Sequence, residues 1–253
     1  MNKNLAYFAG ILRDGSVYFS TNRKEGKEFP KTAVYSKDKD FLLNVIGKIF
    51  SFEFSAKFNI SSFKNHNFKI ETSNKRVLEF VTNELKFPIR SQQIYWETPI
   101  TILSSDKEIH KNYIKGFFDA EGTVIISDKV YNCCLRIYQS WHEYNACPPL
   151  EDIKFMLENI DIKSNIVYAN IPHGKKNKFP CYALILRREN ILKFYESINS
   201  LHPEKSMKLL VLYNFLKNRL QVAKMDGSKL RTETPDCASN RVERRSVRAE
   251  APV

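Results

Sequence analysis

The chain has 253 residues and carries 40 Lys and Arg against 28 Asp and Glu, a formal net charge of +12. At roughly 150 residues per domain it is one or two domains or one duplicated unit. Its 43% hydrophobic and 13% aromatic content excludes disorder for most of its length. No run of 18 apolar residues occurs, the first apolar stretch breaks at Arg13-Asp14, and the five cysteines lack paired CxxC spacing. A membrane span, a secretory signal, a disulfide framework and a zinc module are therefore all disfavoured. Surplus positive charge favours a polyanionic partner, nucleic acid first.

In chain order, the spacing of Leu5, Phe8, Ala9, Ile11 and Leu12 predicts a helix over residues 3–14, ended by Asp14-Gly15. Residues 16–24 alternate and predict a strand with Ser16, Tyr18, Ser20, Asn22 and Lys24 on its wet side. A second strand is expected over 31–36, a helix from its Asp38 cap to Phe50, strands over 56–62 and 67–72, and a helix over 75–86 stopped by Pro88. Residues 88–105 read as a mostly extended linker.

From Asp106 the same order returns: a helix to Glu121-Gly122, strands over 123–129 and 133–139, and a helix opened by Pro148-Pro149. Strands over 164–171 and 181–187 and a helix over 190–198 follow, then a last helix from Glu204 to about Ala223. Asp14 and Glu121 stand 107 positions apart, a period too long for a solenoid and suited to a duplicated αββαββα domain. The expected organisation is a first half 1–88, a linker 89–105, a second half 106–225 and a disordered tail 226–253. That tail has six basic residues against five acids, so the surplus charge belongs to the folded part.

The most specific segment is Ile114-Lys115-Gly116-Phe117-Phe118-Asp119-Ala120-Glu121-Gly122. Gly116 and Ala120 share one helix face, where small side chains let a second helix approach closely. Glu121 is placed to end that helix beside its repeat-mate Asp14. Acids at helix C-termini oppose the helix dipole, so two repeat-related ones call for a functional reason. The His142-Glu143 pair has Ala146 where a zincin would place its second His.

These residues resemble the LAGLIDADG homing endonucleases in their single-chain, two-motif form. GFFDAEG is a close match; Phe8-Ala9-Gly10-Ile11-Leu12-Arg13-Asp14-Gly15 is a degenerate one. Aligned on the final acid-Gly pair, Ala9 falls against Gly116 and Arg13 against Ala120, so the small-residue pair is one position out of phase. The likeness spans about residues 5–221 and includes His202-Pro203-Glu204-Lys205 before the last helix.

The resemblance implies an α+β fold of two pseudo-symmetric halves, each with a four-stranded antiparallel saddle, packed through the two motif helices, with the saddles in the DNA major groove. It implies a site-specific double-strand endonuclease that hydrolyses one phosphodiester per strand and leaves short 3′ overhangs. Asp14 and Glu121 would each hold Mg²⁺ (or Mn²⁺), with the carbonyls of Arg13 and Ala120 as further ligands. Gln139 would orient solvent, with Ser36 as its departed counterpart, and Lys69 or Arg187 would supply a basic group. The wet strand faces nominate Tyr18, Ser20, Asn22, Lys24, Lys57, Asn59, Lys69 and Glu71 in the first half, and Ser127, Lys129, Arg136 and Tyr138 in the second, as DNA-binding residues.

The expected partner is double-stranded DNA, with intron RNA as a second candidate, no membrane, and a monomeric, intron-encoded protein. It would work inside the cell, in an archaeal cytoplasm or an organelle matrix. Two rivals keep this fold: an RNA maturase that assists splicing, and a DNA-binding regulator on a decayed endonuclease.

Overall fold

Asn2 starts the first helix, its side chain accepting the Leu5 N–H at 2.9 Å as an N-cap amide does. The computed structural model describes residues 1–21, 26–63, 67–89, 93–169 and 179–225. Asn22, Lys24 and the expected tail lie outside the described residues. The chain divides into two units, Met1–Lys217 and Asn218–Val253, and the two sheets belong to the first.

Helix α1 (Lys3–Ile11) tightens at its end into a 3-10 turn, Leu12–Asp14. Strands β1 (Gly15–Thr21) and β2 (Glu28–Ser36) follow. Helix α2 runs as Lys39–Phe41, a wider π turn Leu42–Gly47, and Lys48–Phe54. Strands β3 (Asn59–Phe63) and β4 (Asn67–Thr72) complete an antiparallel sheet of order β1-β2-β4-β3. Helix α3 (Lys75–Glu79), continued by a π turn Phe80–Glu84, closes the first half.

A 3-10 turn Gln93–Tyr95 and a short α4 (Ile100–Leu103) interrupt the segment expected to be extended. The second half is α5 (Lys107–Glu121), β5 (Gly122–Ile125), β6 (Cys134–Ser140), α6 (Pro148–Glu158), β7 (Asn165–Tyr168), β8 (Cys181–Leu186) and α7 (Glu189–Ser197), followed by α8 (Pro203–Met225). Its sheet has the order β5-β6-β8-β7, the same topology as the first. The duplicated α+β architecture expected from the sequence is the one observed.

The two motif helices meet backbone to backbone. A Cβ on Gly10 would lie 2.2 Å from the Tyr113 carbonyl, and one on Gly116 would lie 2.1 Å from the Tyr7 carbonyl. Gly10 and Gly116 are thus mates across the crossing, 106 positions apart, although the acids are 107 apart. The 3-10 turn absorbs the difference. From Ile11 to Asp14, three 3-10 residues rise about 6 Å through about 360°; from Phe117 to Glu121, four α-helical residues rise about 6 Å through about 400°. The out-of-phase first motif therefore delivers its acid to the same level as the second.

Register fixes the sheet faces. Val17, Val34 and Ile70 point into the core, as do Leu135, Ile137 and Leu184. Tyr18, Ser20, Asn59, Lys69 and Glu71 lie on the outer face of the first sheet, and Arg136 and Tyr138 on that of the second. Three expected positions lie off the strands. Lys57 precedes β3, its carbonyl accepting the Thr72 hydroxyl at 2.6 Å. Ser127 and Lys129 follow the end of β5, where the Ser127 hydroxyl accepts the Lys129 N–H at 3.3 Å and Cys133 Sγ donates to the Ser127 carbonyl at 3.2 Å. Such local side-chain bonds compete with a strand ladder, so alternation in the sequence ran past the true strand end.

Candidate active site

Asp14 is the last residue of the 3-10 turn and Glu121 the last of α5, so the glycine crossing brings both carboxylates to one end of the helix pair. Asp14 opens onto a cavity, yet the surrounding protein strips enough water to push its pKa up to about 6, with Lys205 pulling the other way. Glu121 is half-buried and raised to about 7, first by burial and then by the charge of Asp14, against the pull of Lys205 and Arg13. Two neighbouring acids held above their ordinary range in this way lack full compensation from the protein.

The cation whose charge reaches both of them escaped sequence reasoning. Lys205, in the first turn of α8, donates to the carbonyls of Phe118 at 3.0 Å, Asp119 at 2.7 Å and Ala120 at 3.2 Å. Its ammonium thus satisfies the end of α5, where the helix leaves carbonyls unpaired and a negative partial charge. Burial lowers its pKa, and the charges of Asp119, Asp14 and Glu121 resist that. The expected basic residues are engaged elsewhere: Lys69 pairs with Glu71 at 2.6 Å, and Arg187 donates to the Tyr131 carbonyl at 2.7 Å. The His-Pro-Glu-Lys pattern was the available signal, but no local spacing ties Lys205 to Glu121.

Asp119 holds that lysine in place. It is 4% exposed, accepts from Tyr7 Oη at 2.8 Å, Leu201 N at 2.9 Å and His202 N at 3.2 Å, and also takes the Ser200 hydroxyl. Burial raises its pKa, while the bonds from Ser200, Tyr7 and Leu201 oppose the rise. A single carboxylate therefore fastens both α1 and the approach to α8 onto α5.

The two sides of the crossing differ. Asp14 opens onto a cavity of about 420 Å³ lined by Ser36, Lys37, His202, Glu204 and Lys205 among others. The His202 ring packs on Phe41 with centroids 4.8 Å apart, and its Nε2 lies 3.5 Å from Ser36 Oγ. In the second half Gln139 is 7% exposed at the end of β6; its amide donates to the Ser140 carbonyl at 2.8 Å and its Oε1 has no partner among the described residues. At the end of α1 the place of Lys205 is taken by the neutral Gln93, which donates to the carbonyls of Leu12, at 3.4 Å, and Gly15.

Arg13, aligned with the small Ala120, packs between the linker and the face of α5. It is 2% exposed, stacks on Trp96 at 4.3 Å and Phe117 at 4.8 Å, and donates to the Trp96 carbonyl at 2.8 Å. Trp96 in turn packs edge-on to Phe87 and donates to the Leu85 carbonyl at 2.9 Å. Linker and first motif are thereby one packed unit, and Trp96→Phe, which removes that donor and part of the stacking surface, is expected to cost about 1–2 kcal/mol in urea unfolding.

Residues 108–199 match the model of the LAGLIDADG-like domain. Over 208 residues the chain is 28% identical to homing endonuclease I-ApeI of Aeropyrum pernix, covering 81% of this chain and 85% of that protein. It is similar in structure to I-DmoI in complex with DNA and Ca, at 19% identity and a TM-score of 0.56, covering 81% of this chain and 96% of that one. It is also similar to the LAGLIDADG meganuclease I-AabMI bound to uncleaved DNA, at 11% identity and a TM-score of 0.50, covering 91% of this chain and 100% of that one.

Proposed function

We propose that the chain is a LAGLIDADG site-specific homing endonuclease that, as a monomer, cuts both strands of a long DNA target and leaves short 3′ overhangs; the match of residues 108–199 and the 28% identity to a homing endonuclease over 81% of the chain support this. The observation that carries this reading is the pair of acids, Asp14 and Glu121, at the ends of two helices that touch through glycine, in a chain of net charge +12. A decayed endonuclease would have no reason to keep both.

The donor set suits a hard cation such as Mg²⁺ or Mn²⁺: oxygen atoms only, two mutually repelling carboxylates, and room for phosphate and water. No group of three or more His, Cys, Asp or Glu side chains placed to hold a metal is found among the described residues, which disfavours an all-protein cage. Asp14, Glu121 and the carbonyls of Arg13 and Ala120 would hold the ion, which when bound polarises the phosphate and lowers the pKa of water. The Ala120 carbonyl keeps a lone pair for this role beside its bond to Lys205. Lys205 would stabilise charge on the phosphate from the Asp14 side, and Gln139, through its unpartnered Oε1, would orient the attacking water. Tyr18, Ser20, Asn59, Lys69, Glu71, Arg136 and Tyr138 would face the bases from the two sheets, with Lys57, Ser127 and Lys129 at the rims near phosphates; Asn22 and Lys24 are DNA-binding candidates from the sequence alone.

The test is incubation of the full chain with Mg²⁺ and a randomised duplex library, followed by sequencing of new ends. Paired cuts at a constant offset are expected, lost with EDTA, with binding that weakens steeply between about 50 and 200 mM salt. Binding to structured RNA without any DNA cutting would favour the maturase instead. Lys205→Met is expected to slow cleavage by about a hundredfold with little change in DNA affinity, read from single-turnover rates; an unchanged rate would remove Lys205 from the site.

A further inference from the structure

The outer faces of the two sheets are built from different chemistry. On the first, Lys31 and Lys69 both reach Glu71, at 2.7 and 2.6 Å, and Lys69 also donates to Tyr18 Oη at 2.9 Å. Asn59 and Ser61 continue the same rows, and the single aliphatic side chain on that face is Ala33. On the second, register aligns Arg136 with Ile185 and Asn165, and Tyr138 with Ala183 and Val167, while Ile125 stands opposite Cys134. Ile125, Ile185 and Val167 belong to no buried core cluster, and Val167 is 40% exposed on the edge strand. Arg136, which donates to Tyr138 Oη at 3.3 Å, is the one charged side chain among the described strand residues of this face.

Half-buried and exposed aliphatic side chains, Ile125 and Ile185 on the sheet face and Val167 on its edge strand, invite aggregation unless a partner covers them. The occupant has to suit isolated methyl-sized apolar spots around a single guanidinium, continuous with a surface read as DNA-binding. In the major groove only thymine offers an apolar edge, its C5 methyl, whereas guanine offers two acceptors suited to arginine. An amino group or carbonyl oxygen of another base set against Val167 or Ile185 would lose water without gaining a partner.

Building on the DNA-binding function proposed above, we propose that the second sheet reads a thymine-rich half-site through thymine methyl groups held against Ile125, Val167 and Ile185, with Arg136 fixing a guanine among them. The first sheet, clamped and polar but for Phe29 under Lys31, reads its half-site mainly by hydrogen bonds.

The experiment selects duplexes bound by the full chain from a randomised library without divalent metal. The winners are then remade with deoxyuridine in place of thymine in one half-site at a time, and Val167→Asn, a change at an exposed edge position, identifies the half under the second sheet. There, deoxyuridine should weaken binding by about threefold to fourfold per contacted methyl, and in the other half by under about twofold. Val167→Asn should lose part of that sensitivity while keeping its melting temperature and the preferences of the other half. Equal sensitivity of both halves, or a Val167-dependent half-site without thymine enrichment, would overturn the proposal with DNA binding intact. A library that yields no enriched sequence would overturn the DNA-binding function and this inference together.

Discussion

Glu121→Gln is expected to abolish double-strand cleavage, by about a thousandfold or more, while the protein still binds DNA. The shape of the side chain is kept and only its charge is lost, so retained cutting with Mg²⁺ would remove Glu121 from the catalytic role. The same variant carries a signature independent of activity. In the metal-free protein the Glu121 carboxyl is raised to about 7 from an ordinary 4.5, and Asp14 to about 6 from 3.8. A carboxyl with a higher pKa in the folded state binds its proton more tightly when folded, so its contribution is fully present below about pH 4 and is lost as pH rises through 6 to 7. Glu121→Gln should therefore melt a few degrees above the parent at pH 8 and close to it at pH 4. Added Mg²⁺ should raise the melting temperature of the parent at pH 8 more than that of the variant, since a cation bound to the native state relieves the repulsion. Equal stabilisation of both would place the ion elsewhere.

Gly116→Ala is expected to have the largest effect on stability. Its Cβ would sit 2.1 Å from the Tyr7 carbonyl and 2.9 Å from the Ile11 nitrogen, both backbone atoms that no rotamer change can move aside. The helices must separate, and overpacking of this kind costs about 3 kcal/mol or more. The acids ride on those helix ends, so the variant should also lose cleavage in proportion to the opening. A control of similar size is Ala120→Ser, one turn further along the same face, where the side chain lines the Asp14 cavity; a loss as large there would point to the motif segment in general. Unfolding in urea, with an m-value unchanged between variants, checks the comparison.

Where periodicity and local chemistry agreed, the sequence was informative. The αββαββα order, the wet faces at Tyr18, Lys69 and Arg136, and the convergence of Asp14 with Glu121 all follow from alternation, caps and the acid-Gly pairs. Strand ends were less legible, because the Ser127 hydroxyl and the Cys133 thiol close a turn whose side-chain pattern still alternates. The phase of the first motif was misleading for a geometrical reason: residue counting assumes one helical rise, and Leu12–Asp14 adopts another. Lys205 and Asp119 were hidden because their partners lie some 80 residues away in the chain, beyond any spacing rule.

The unequal caps at the two motif helices bear on whether either half could serve alone as a symmetric pair. Two copies of the second half would set Gly116 against Gly116, keep the four-residue α-helical run to Glu121 on both sides, and supply a Lys205 and a Gln139 to each. Two copies of the first, each with its linker, would replace every such ammonium with the uncharged amide of Gln93 and offer Ser36 in place of Gln139. The halves are thus not equivalent: a swapped homodimer of the second would retain every group proposed for catalysis, whereas one of the first would not. In the single chain, the first half is instead paired with a partner that carries them.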